Sequence, residues 1–314
     1  MPVLSASART FFTLLAGSTA LKRLASTYGM RRPGSFARRF IAGETLDEAV
    51  EAARAIEQAG MMVTLDLLGE SVHSVESAGE ATNAYLDVVR IVEHAGIGRN
   101  ISLKLTQLGL DVDRATCLDN LRRILDVAGE ADFFVRVDME SSAYTATTLE
   151  TFDTLWQIGY RNMGVVIQSY LRRSAADVRQ LVSMGVPVRL VKGAYREPKD
   201  VAFTDKREVD ASFVELMRML LAGGTYTAIA THDPAMLDAT EEYVKANGIG
   251  PERFEFQMLY GVRRDLQASL TAKGHQFRVY VPFGKEWYPY FMRRLGERPA
   301  NVGFVLKSLL RERR

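Results

Sequence analysis

The sequence predicts an α/β protein, and within that class a (β/α)8 barrel of the TIM type. Eight short runs rich in β-branched and aromatic residues recur along the 314 residues, and helical patterns separate them. Strands that alternate with helices pair in parallel, and eight such units over about 250 residues fit a closed barrel better than an open doubly wound sheet. Polar and apolar residues alternate within the strands, which predicts a polar face on the inside of the barrel.

The predicted elements follow one another without interruption. The strands cover residues 62–67, 100–105, 132–138, 163–168, 187–192, 226–231, 253–258 and 276–281. Helical patterns cover residues 81–94, 114–128, 175–184, 208–221, 234–246 and 264–273. The polar strand face carries Ser102 and Lys104, Arg136 and Asp138, Glu255 and Gln257, and Arg278 and Tyr280. Many of these positions lie at or near the C-terminal end of their strand, where barrel enzymes build their active sites, so we expect a large site there.

Two segments flank the barrel. Residues 1–43 contain seven Lys or Arg and no acid, with an apolar run at 11–16, and they predict a basic helical arm ahead of a barrel domain at 44–314. One interpretation has this arm docking on a membrane surface, and the other has it capping the bottom of the barrel. No run approaches the roughly 20 apolar residues of a membrane-spanning helix, so any membrane contact is expected to be peripheral.

The second flanking segment is a C-terminal helix that starts near Pro289. Helical spacing places Tyr290, Arg293, Arg294 and Glu297 on one face of it. Two adjacent guanidinium groups suit a carboxylate or a phosphate, whereas a solvated surface helix with Arg–Glu pairs is the simpler alternative. With this helix placed over the barrel mouth, the pair would hold an acid there.

Composition and motifs exclude several classes of protein. A net charge of +2 argues against extensive nucleic-acid binding. The single Cys117 cannot form an intramolecular disulfide, and the four His show no metal-ligand spacing, so no metal site is expected. No dinucleotide fingerprint or P-loop occurs. A cofactor would therefore lie at the barrel mouth, where residues 189–196 (RLVKGAYR) end a strand with small residues that permit close approach.

Seven segments of the chain together resemble the proline dehydrogenase family. They occur in the family's order between residues 47 and 304, and the match depends on all of them jointly. The segments are 101–105 (ISLKL), 135–138 (VRVD), 188–195 (VRLVKGAY), 230–232 (ATH), 254–261 (FEFQMLYG), 280–284 (YVPFG) and 293–297 (RRLGE).

The resemblance implies a flavoenzyme of the first step of proline catabolism. Such an enzyme holds FAD non-covalently, oxidises L-proline to Δ1-pyrroline-5-carboxylate by hydride transfer to flavin N5, and passes the electrons to a membrane quinone. Because the chain ends soon after the barrel, we expect the monofunctional form, with a separate pyrroline-5-carboxylate dehydrogenase as partner. The expected location is the cytoplasm, either free or held peripherally at the inner face of the cytoplasmic membrane.

The resemblance also implies site roles at matching positions. The implied catalytic residues are Asp138 and Arg189, with Arg189 at the flavin N5 edge. The implied substrate-binding residues are Lys104, Tyr280, Leu259, Tyr290, Arg293 and Arg294. The implied FAD contacts are Met139, Gln168, Lys192, Gly193, Ala194, Tyr195, Thr231, His232 and Gln257. Glu70, after the first strand, is expected to pair with Arg293 as a gate over the substrate.

Two residues depart from the pattern of the large bifunctional relatives, and two other functions stay open. Arg196 stands where those relatives usually have Trp, and Asp233 where they often have Asn, which puts the detail of the FAD adenosine and pyrophosphate contacts in doubt. A Schiff-base aldolase using Lys104 or Lys192 is the alternative enzyme. A membrane- or partner-binding module built on the basic arm is the non-enzymatic alternative.

Overall fold

The structure is a computed structural model that describes residues 35–297. Its eight strands form a closed parallel barrel in chain order, in which β8 pairs with β1. They are β1 (Met62–Leu67), β2 (Asn100–Leu103), β3 (Phe134–Val137), β4 (Met163–Gln168), β5 (Val188–Val191), β6 (Thr227–Ala230), β7 (Phe254–Leu259) and β8 (Phe277–Phe283). The predicted barrel is confirmed, and the strand bounds differ from the predicted ones by at most two residues.

Helices follow the strands and cover the outside of the barrel. In the described part of the chain they are α1 (Leu46–Gln58), α2 (Val75–Ala95), α3 (Arg114–Glu130), α4 (Ser142–Gln157), α5 (Ser174–Ser183), α6 (Lys206–Ala222), α7 (Pro234–Ala246), α8 (Arg264–Ala272) and α9 (Trp287–Glu297). Helix α1 has no counterpart among the predicted helices, and neither has helix α4. The many threonines of α4 lower its helix propensity, and burial of Phe152, Leu155 and Trp156 offsets this.

Local signals set the helix ends. Thr45 and Ser74 each form a capping box at the start of α1 and α2, in which the side chain accepts a backbone N–H three residues on. Helix α2 ends at Gly96, whose φ of 66° is left-handed and is reached by glycine without a Cβ clash. The helices therefore begin and end where the sequence supplies caps, and their apolar faces pack on the strands.

The lumen is polar, as predicted, but it has two layers. In the lower layer, near the N-terminal ends of β7 and β8, the Arg278 guanidinium donates to Glu255 at 2.8 Å, and Tyr226 donates to the same carboxylate at 2.9 Å. Arg136 donates to the Pro187 carbonyl at 2.7 Å. Arg136, Glu255 and Arg278 are therefore not among the polar residues that converge at the mouth, and Arg136 and Glu255 are buried beneath it.

Residues 35–43 pack at the mouth end of the barrel. Phe40 and Ile41 form a small apolar cluster with Trp287 and Phe291 of α9. The Ala42 amide donates to the Pro282 carbonyl at the C-terminal end of β8. This part of the predicted arm lies beside α9 and not beneath the barrel, while residues 1–34 and the segment after 297 lie outside the described residues. The domain boundary after Gly43 stays a prediction.

Residues 35–297 contain neither a candidate membrane-spanning helix nor a candidate metal site. No helix in this range combines the length and the apolar character needed to cross a bilayer. No group of three or more His, Cys, Asp or Glu in this range is arranged to hold a metal ion.

Cys117 is buried, and burial raises the pKa of its thiol to about 12. The thiol is therefore protonated and unreactive at neutral pH.

Candidate active site

Asp138 lies at the centre of the upper layer of the lumen. It follows β3, and its carboxylate accepts from Arg189 of β5 at 2.7 Å and from the Tyr280 hydroxyl of β8 at 2.7 Å. Arg189 is only 4% exposed, also donates to Ser102 at 3.1 Å, and lies over the Tyr280 ring at 5.2 Å. Burial and the neighbouring carboxylates raise the pKa of Tyr280, so its hydroxyl stays protonated and donates. Three strands thus fix one buried cation and one hydroxyl against one carboxylate.

Lys104 stands beside this group and pairs with a residue that the sequence interpretation missed. Its ammonium lies 3.4 Å from the Asp66 carboxylate, and Asp66 is fully buried at the end of β1. The signal was present, because Thr64 and Asp66 share a strand face in the same way as Ser102 and Lys104. In the structure Thr64 and Ser102 are hydrogen-bonded at 3.2 Å, which joins the two polar faces.

Helix α9 brings Arg293 over the mouth. Its guanidinium lies 3.2 Å from Glu70 and 3.4 Å from the Tyr195 hydroxyl, and so links the ends of β1 and β5. Burial alone would lower the pKa of Arg293, but Glu70 and Tyr195 raise it above its ordinary value. Arg294 lies over the Tyr290 ring at 5.1 Å. The structure thus places Arg293 and Lys104 around one mouth, near Tyr195 and Glu70, and it contains the Glu70–Arg293 contact on which the gate hypothesis depends.

The ends of β4 to β7 carry the residues expected to contact a cofactor. Gln168 donates to the Glu140 carbonyl at 2.8 Å, and His232 accepts the Leu259 amide at 3.0 Å through Nε2. Thr231 and Gln257 are buried beside them. Met139, Ala194 and Leu259 directly follow or end their strands, so they lie at the same rim.

Lys192 is engaged by two carboxylates at this rim. Its ammonium bonds to Asp210 and, at 2.7 Å, to Asp233, which Lys206 also contacts. Burial raises the pKa of Asp233, but the two lysines hold it at about 2. Asp233 is one of the two departures from the bifunctional pattern, and it compensates the charge of Lys192. A phosphate contact by Lys192 would therefore compete with two carboxylates.

Residue 193 must be glycine because the Tyr170 ring packs closely against its Cα. Its φ of 114° is left-handed, and a Cβ here would lie 2.3 Å from the Tyr170 ring. Only glycine lets the chain turn after Lys192 while Tyr170 packs beneath it. The turn then carries Ala194 and Tyr195 towards the mouth, where Tyr195 meets Arg293.

The polar groups at the rim are compatible with a flavin. Arg189 Nε and Gln257 Oε1 are buried and have no hydrogen-bond partner within the described residues. They offer one donor and one acceptor that the described part of the protein leaves unpaired. A flavin ring presents both kinds of group, and a cation near its N1 or N5 edge tunes its chemistry. Unpaired buried polar atoms are costly, so a ligand that meets them fits the site.

Comparisons with known proteins agree on one family. A family model described as proline dehydrogenase matches residues 49–307. The chain is 40% identical over 304 residues to Proline dehydrogenase 1 of Bacillus subtilis (strain 168), which covers 97% of this chain and 99% of that protein. It is 42% identical over 281 residues to Proline dehydrogenase of Deinococcus radiodurans, which covers 88% and 91% respectively.

A solved structure shares the fold. It is the crystal structure of proline utilization A from Bdellovibrio bacteriovorus inactivated by N-propargylglycine, with a TM-score of 0.77 and 30% sequence identity. The similarity covers 83% of this chain but 32% of the other, so the chain spans about a third of that longer protein.

Proposed function

The chain belongs to the proline dehydrogenase family, and from that premise we propose that it oxidises L-proline to Δ1-pyrroline-5-carboxylate with non-covalently bound FAD. One observation supports this most directly: Asp138, Arg189 and Tyr280 are bonded together beneath a mouth that carries Lys104 and Arg293, and Arg294 follows Arg293 on α9. A cationic mouth above an ordered polar floor suits a small amino acid with one carboxylate.

The substrate carboxylate is assigned to the cations of the mouth. Lys104 and the Arg293–Arg294 pair provide charge-assisted hydrogen bonds, each contributing about 1.5–3 kcal/mol when water is excluded. Tyr280 and Leu259 flank the proline ring, and Tyr290 borders it. Holding the carboxylate at one end fixes the orientation of the ring carbon that bears the hydride.

The second requirement concerns the protonation state of the substrate amine. Hydride leaves the carbon next to nitrogen only when that nitrogen carries a free lone pair, so the amine must be neutral. The cations of the mouth disfavour the ammonium form of bound proline. Arg189, fixed by Asp138 and Ser102, is the cation we assign to the N5 edge of the cofactor. FAD, when bound, supplies the two-electron acceptor for the hydride.

The remaining parts of the proposal concern partners. We assign the electrons to a membrane quinone and the product to a separate pyrroline-5-carboxylate dehydrogenase. The arm at residues 1–43 is the candidate for peripheral membrane contact, although residues 1–34 lie outside the described residues. L-Proline is the small-molecule substrate, and nucleic acid has no role.

The Schiff-base alternative is disfavoured by the lysines themselves. A Schiff-base lysine needs a lowered pKa so that its amine is neutral. Burial would lower the pKa of Lys104, but Asp66 and Asp138 raise it above its ordinary value. Lys192 is bonded to two carboxylates. Lys104 is therefore held in the charged form that cannot attack a carbonyl, and the amine of Lys192 is occupied by its bonds to Asp210 and Asp233.

The spectrum of the purified protein tests the proposed function. We expect a yellow protein whose flavin absorption is bleached by L-proline without oxygen, and acid precipitation should release FAD into the supernatant because no covalent link holds it. D-Proline and pyruvate are the matched controls, the second for aldolase chemistry. A colourless protein, FMN in the supernatant or colour retained in the pellet would contradict the proposal.

Glu70→Ala tests the gate. The Glu70–Arg293 pair is partly exposed, with 37% of the Glu70 side chain accessible, so solvent screens it. We expect the proline KM to rise roughly two- to fivefold, with a faster release of bound ligand, because an exposed pair contributes up to about 1 kcal/mol. Glu80→Ala, an exposed glutamate on α2, is the control. Unchanged KM and unchanged release rate in Glu70→Ala would remove the gate role.

A further inference from the structure

Asp66 is a second carboxylate in the active site, and neither hydride transfer nor substrate contact assigns it a role. It is fully buried at the C-terminal end of β1, and Oδ1 lies 3.4 Å from the Lys104 ammonium. Its other oxygen, Oδ2, has no hydrogen-bond partner within residues 35–297. A buried carboxylate without a hydrogen-bond network is expensive unless a cation compensates it. Lys104 is that cation.

After Asp66, Asp138 is the carboxylate that acts most strongly on Lys104, and its bonds are already made. Arg189 and Tyr280 both donate to it at 2.7 Å. The charge of Asp138 is therefore largely compensated by Arg189, which leaves Asp66 as the direct counter-ion of Lys104. The Lys104 side chain is 12% exposed, so water screens the pair only weakly.

We propose that Asp66 is a positioning residue that keeps Lys104 cationic at alkaline pH and so preserves the binding site for the substrate carboxylate. The inference rests on the proposed role of Lys104 in holding that carboxylate. Asp66 acts through Lys104 and does not itself need to touch the substrate.

The reaction explains why such a device is useful. Hydride transfer needs a neutral secondary amine, and the neutral fraction of a basic amine increases with pH. Carboxylate binding needs a charged Lys104, and a buried lysine tends to lose its proton as pH rises. The two requirements oppose each other. A carboxylate fixed beside Lys104 shifts its deprotonation upward and widens the pH range in which both are met.

The groups around Lys104 determine whether removal of Asp66 raises or lowers the pKa of Lys104. The charged or titratable groups that face Lys104 come from three strands: Asp66 within β1 and Glu70 after it, Asp138 and Glu140 after β3, and Tyr195 after β5. Behind them, Arg189 and Tyr280 are bonded to Asp138, and Arg293 is bonded to Glu70. Burial lowers the pKa of Lys104, while Asp66 opposes this more strongly than Asp138. Burial raises the pKa of Asp66, and the charge of Lys104 opposes this increase. Removing Asp66 must then lower the pKa of Lys104.

The experiment measures binding of cyclopentanecarboxylate to the oxidised, FAD-loaded enzyme by calorimetry between about pH 6 and about pH 10. This probe has the ring and the carboxylate but no amine, so its own charge is constant across the range. Arg293 stays charged throughout, because Glu70 and Tyr195 outweigh burial and raise its pKa above the ordinary value of a guanidinium group. Arg136, whose pKa burial lowers to about 9, lies in the lower layer and is common to every variant.

Asp66→Asn keeps the shape and removes the charge. At the acid end we expect it to bind the probe at least as tightly as the wild type, because a nearby negative charge is gone. At the alkaline end we expect binding weaker by about tenfold or more, the loss of one charge-assisted bond. Asp66→Glu should restore the wild-type profile. Curves of wild type and Asp66→Asn that stay parallel across the range would overturn the proposal.

A Lys104→Met background shows whether Asp66 acts through Lys104. In this background Asp66→Asn should no longer change the pH profile, since the titrating partner is absent. An equal pH-dependent change with and without Lys104 would overturn the proposal. If Lys104→Met itself leaves probe binding unchanged, Lys104 does not hold the carboxylate and the proposed function, not Asp66, is at fault.

Asp66→Asn leaves a buried lysine without its partner, which can prevent folding. Asp66→Ser, which admits water beside Lys104, is the second variant, and flavin content with thermal unfolding reports on its integrity. A measurement on the wild type needs no variant: the pH midpoint for acetylation of Lys104 by acetic anhydride, read by peptide mass spectrometry. It should lie above that of surface lysines such as Lys273, and an equal or lower midpoint would contradict the proposal.

Discussion

Arg189→Met is expected to slow the bleaching of the flavin by L-proline by roughly 10²–10³-fold, the size of effect seen when one preorganised electrostatic group is removed from an active site. Arg189 is buried and held by Asp138 and Ser102, so its charge needs no reorganisation during the reaction. Methionine keeps most of the volume and removes the charge. The measurement is single-turnover absorption at saturating proline.

Arg189→Met should also change the stability of the protein, because it removes the cation that is bonded to Asp138. Without the guanidinium, Asp138 keeps only the hydrogen bond from Tyr280, and a buried carboxylate remains uncompensated. The variant should therefore also be less stable, and Arg189→Lys should recover part of the stability and part of the rate because it restores the charge without the planar fork. Flavin content measured on each preparation separates slow chemistry from cofactor loss.

A rate within threefold or so of the wild type in FAD-replete Arg189→Met would remove Arg189 from the cofactor edge. In that case Asp138 becomes the residue to test, since Tyr280 and Arg189 meet on its carboxylate. Loss of flavin with an unchanged rate per bound flavin would assign Arg189 to cofactor affinity alone.

Arg294→Met and Arg293→Met are expected to raise the proline KM by one to several decades, corresponding to a loss of roughly 1.5–5 kcal/mol of charge-assisted binding. Both side chains lie on α9, which packs over the mouth. Arginine to lysine at either position should be tolerated only in part, because an ammonium keeps the charge but cannot reproduce the fork. Flavin content should stay near that of the wild type.

Prolinamide, which lacks the carboxylate, separates this role from others. Wild-type enzyme should strongly prefer proline to prolinamide, and the methionine variants should lose most of that preference. Arg218→Met is the matched control, because Arg218 also lies over a tyrosine ring but on the outer helices α6 and α7. Retention of the preference in both variants would mean that the carboxylate is held elsewhere.

The class of fold was readable because barrel units repeat a local pattern. Each strand and helix leaves its own periodicity in the sequence, so eight units could be found one by one. Helix α4 was missed because its threonines weaken the local signal, while its buried Phe152 and Trp156 make the tertiary contacts that stabilise it. The cationic face of α9 was also local, since Arg293 and Arg294 are adjacent.

Pairing within the lumen could not be read in the same way. Alternation shows which residues share a face of a strand, but the height of a residue in a closed barrel depends on the stagger accumulated from strand to strand. In the pairing register of neighbouring strands, Asp66 pairs with Ser102 and Ser102 pairs with Arg136, whereas Thr64 pairs with Tyr280 on the other side of β1. This stagger separates Arg136 and Arg278 from the mouth although their alternation matches that of Asp138 and Tyr280.

The sequence by itself therefore determined the barrel, the polar lumen and the two arginines of α9, all of which depend on residues close together in the chain. Only the tertiary structure decided that Asp66 pairs with Lys104, that Asp138 joins Arg189 to Tyr280, and that Asp210 and Asp233 compensate Lys192. These partners come from different strands and helices. A charged side chain pairs with the opposite charge that lies nearest to it in the folded chain, and burial strengthens this pairing because water no longer screens it.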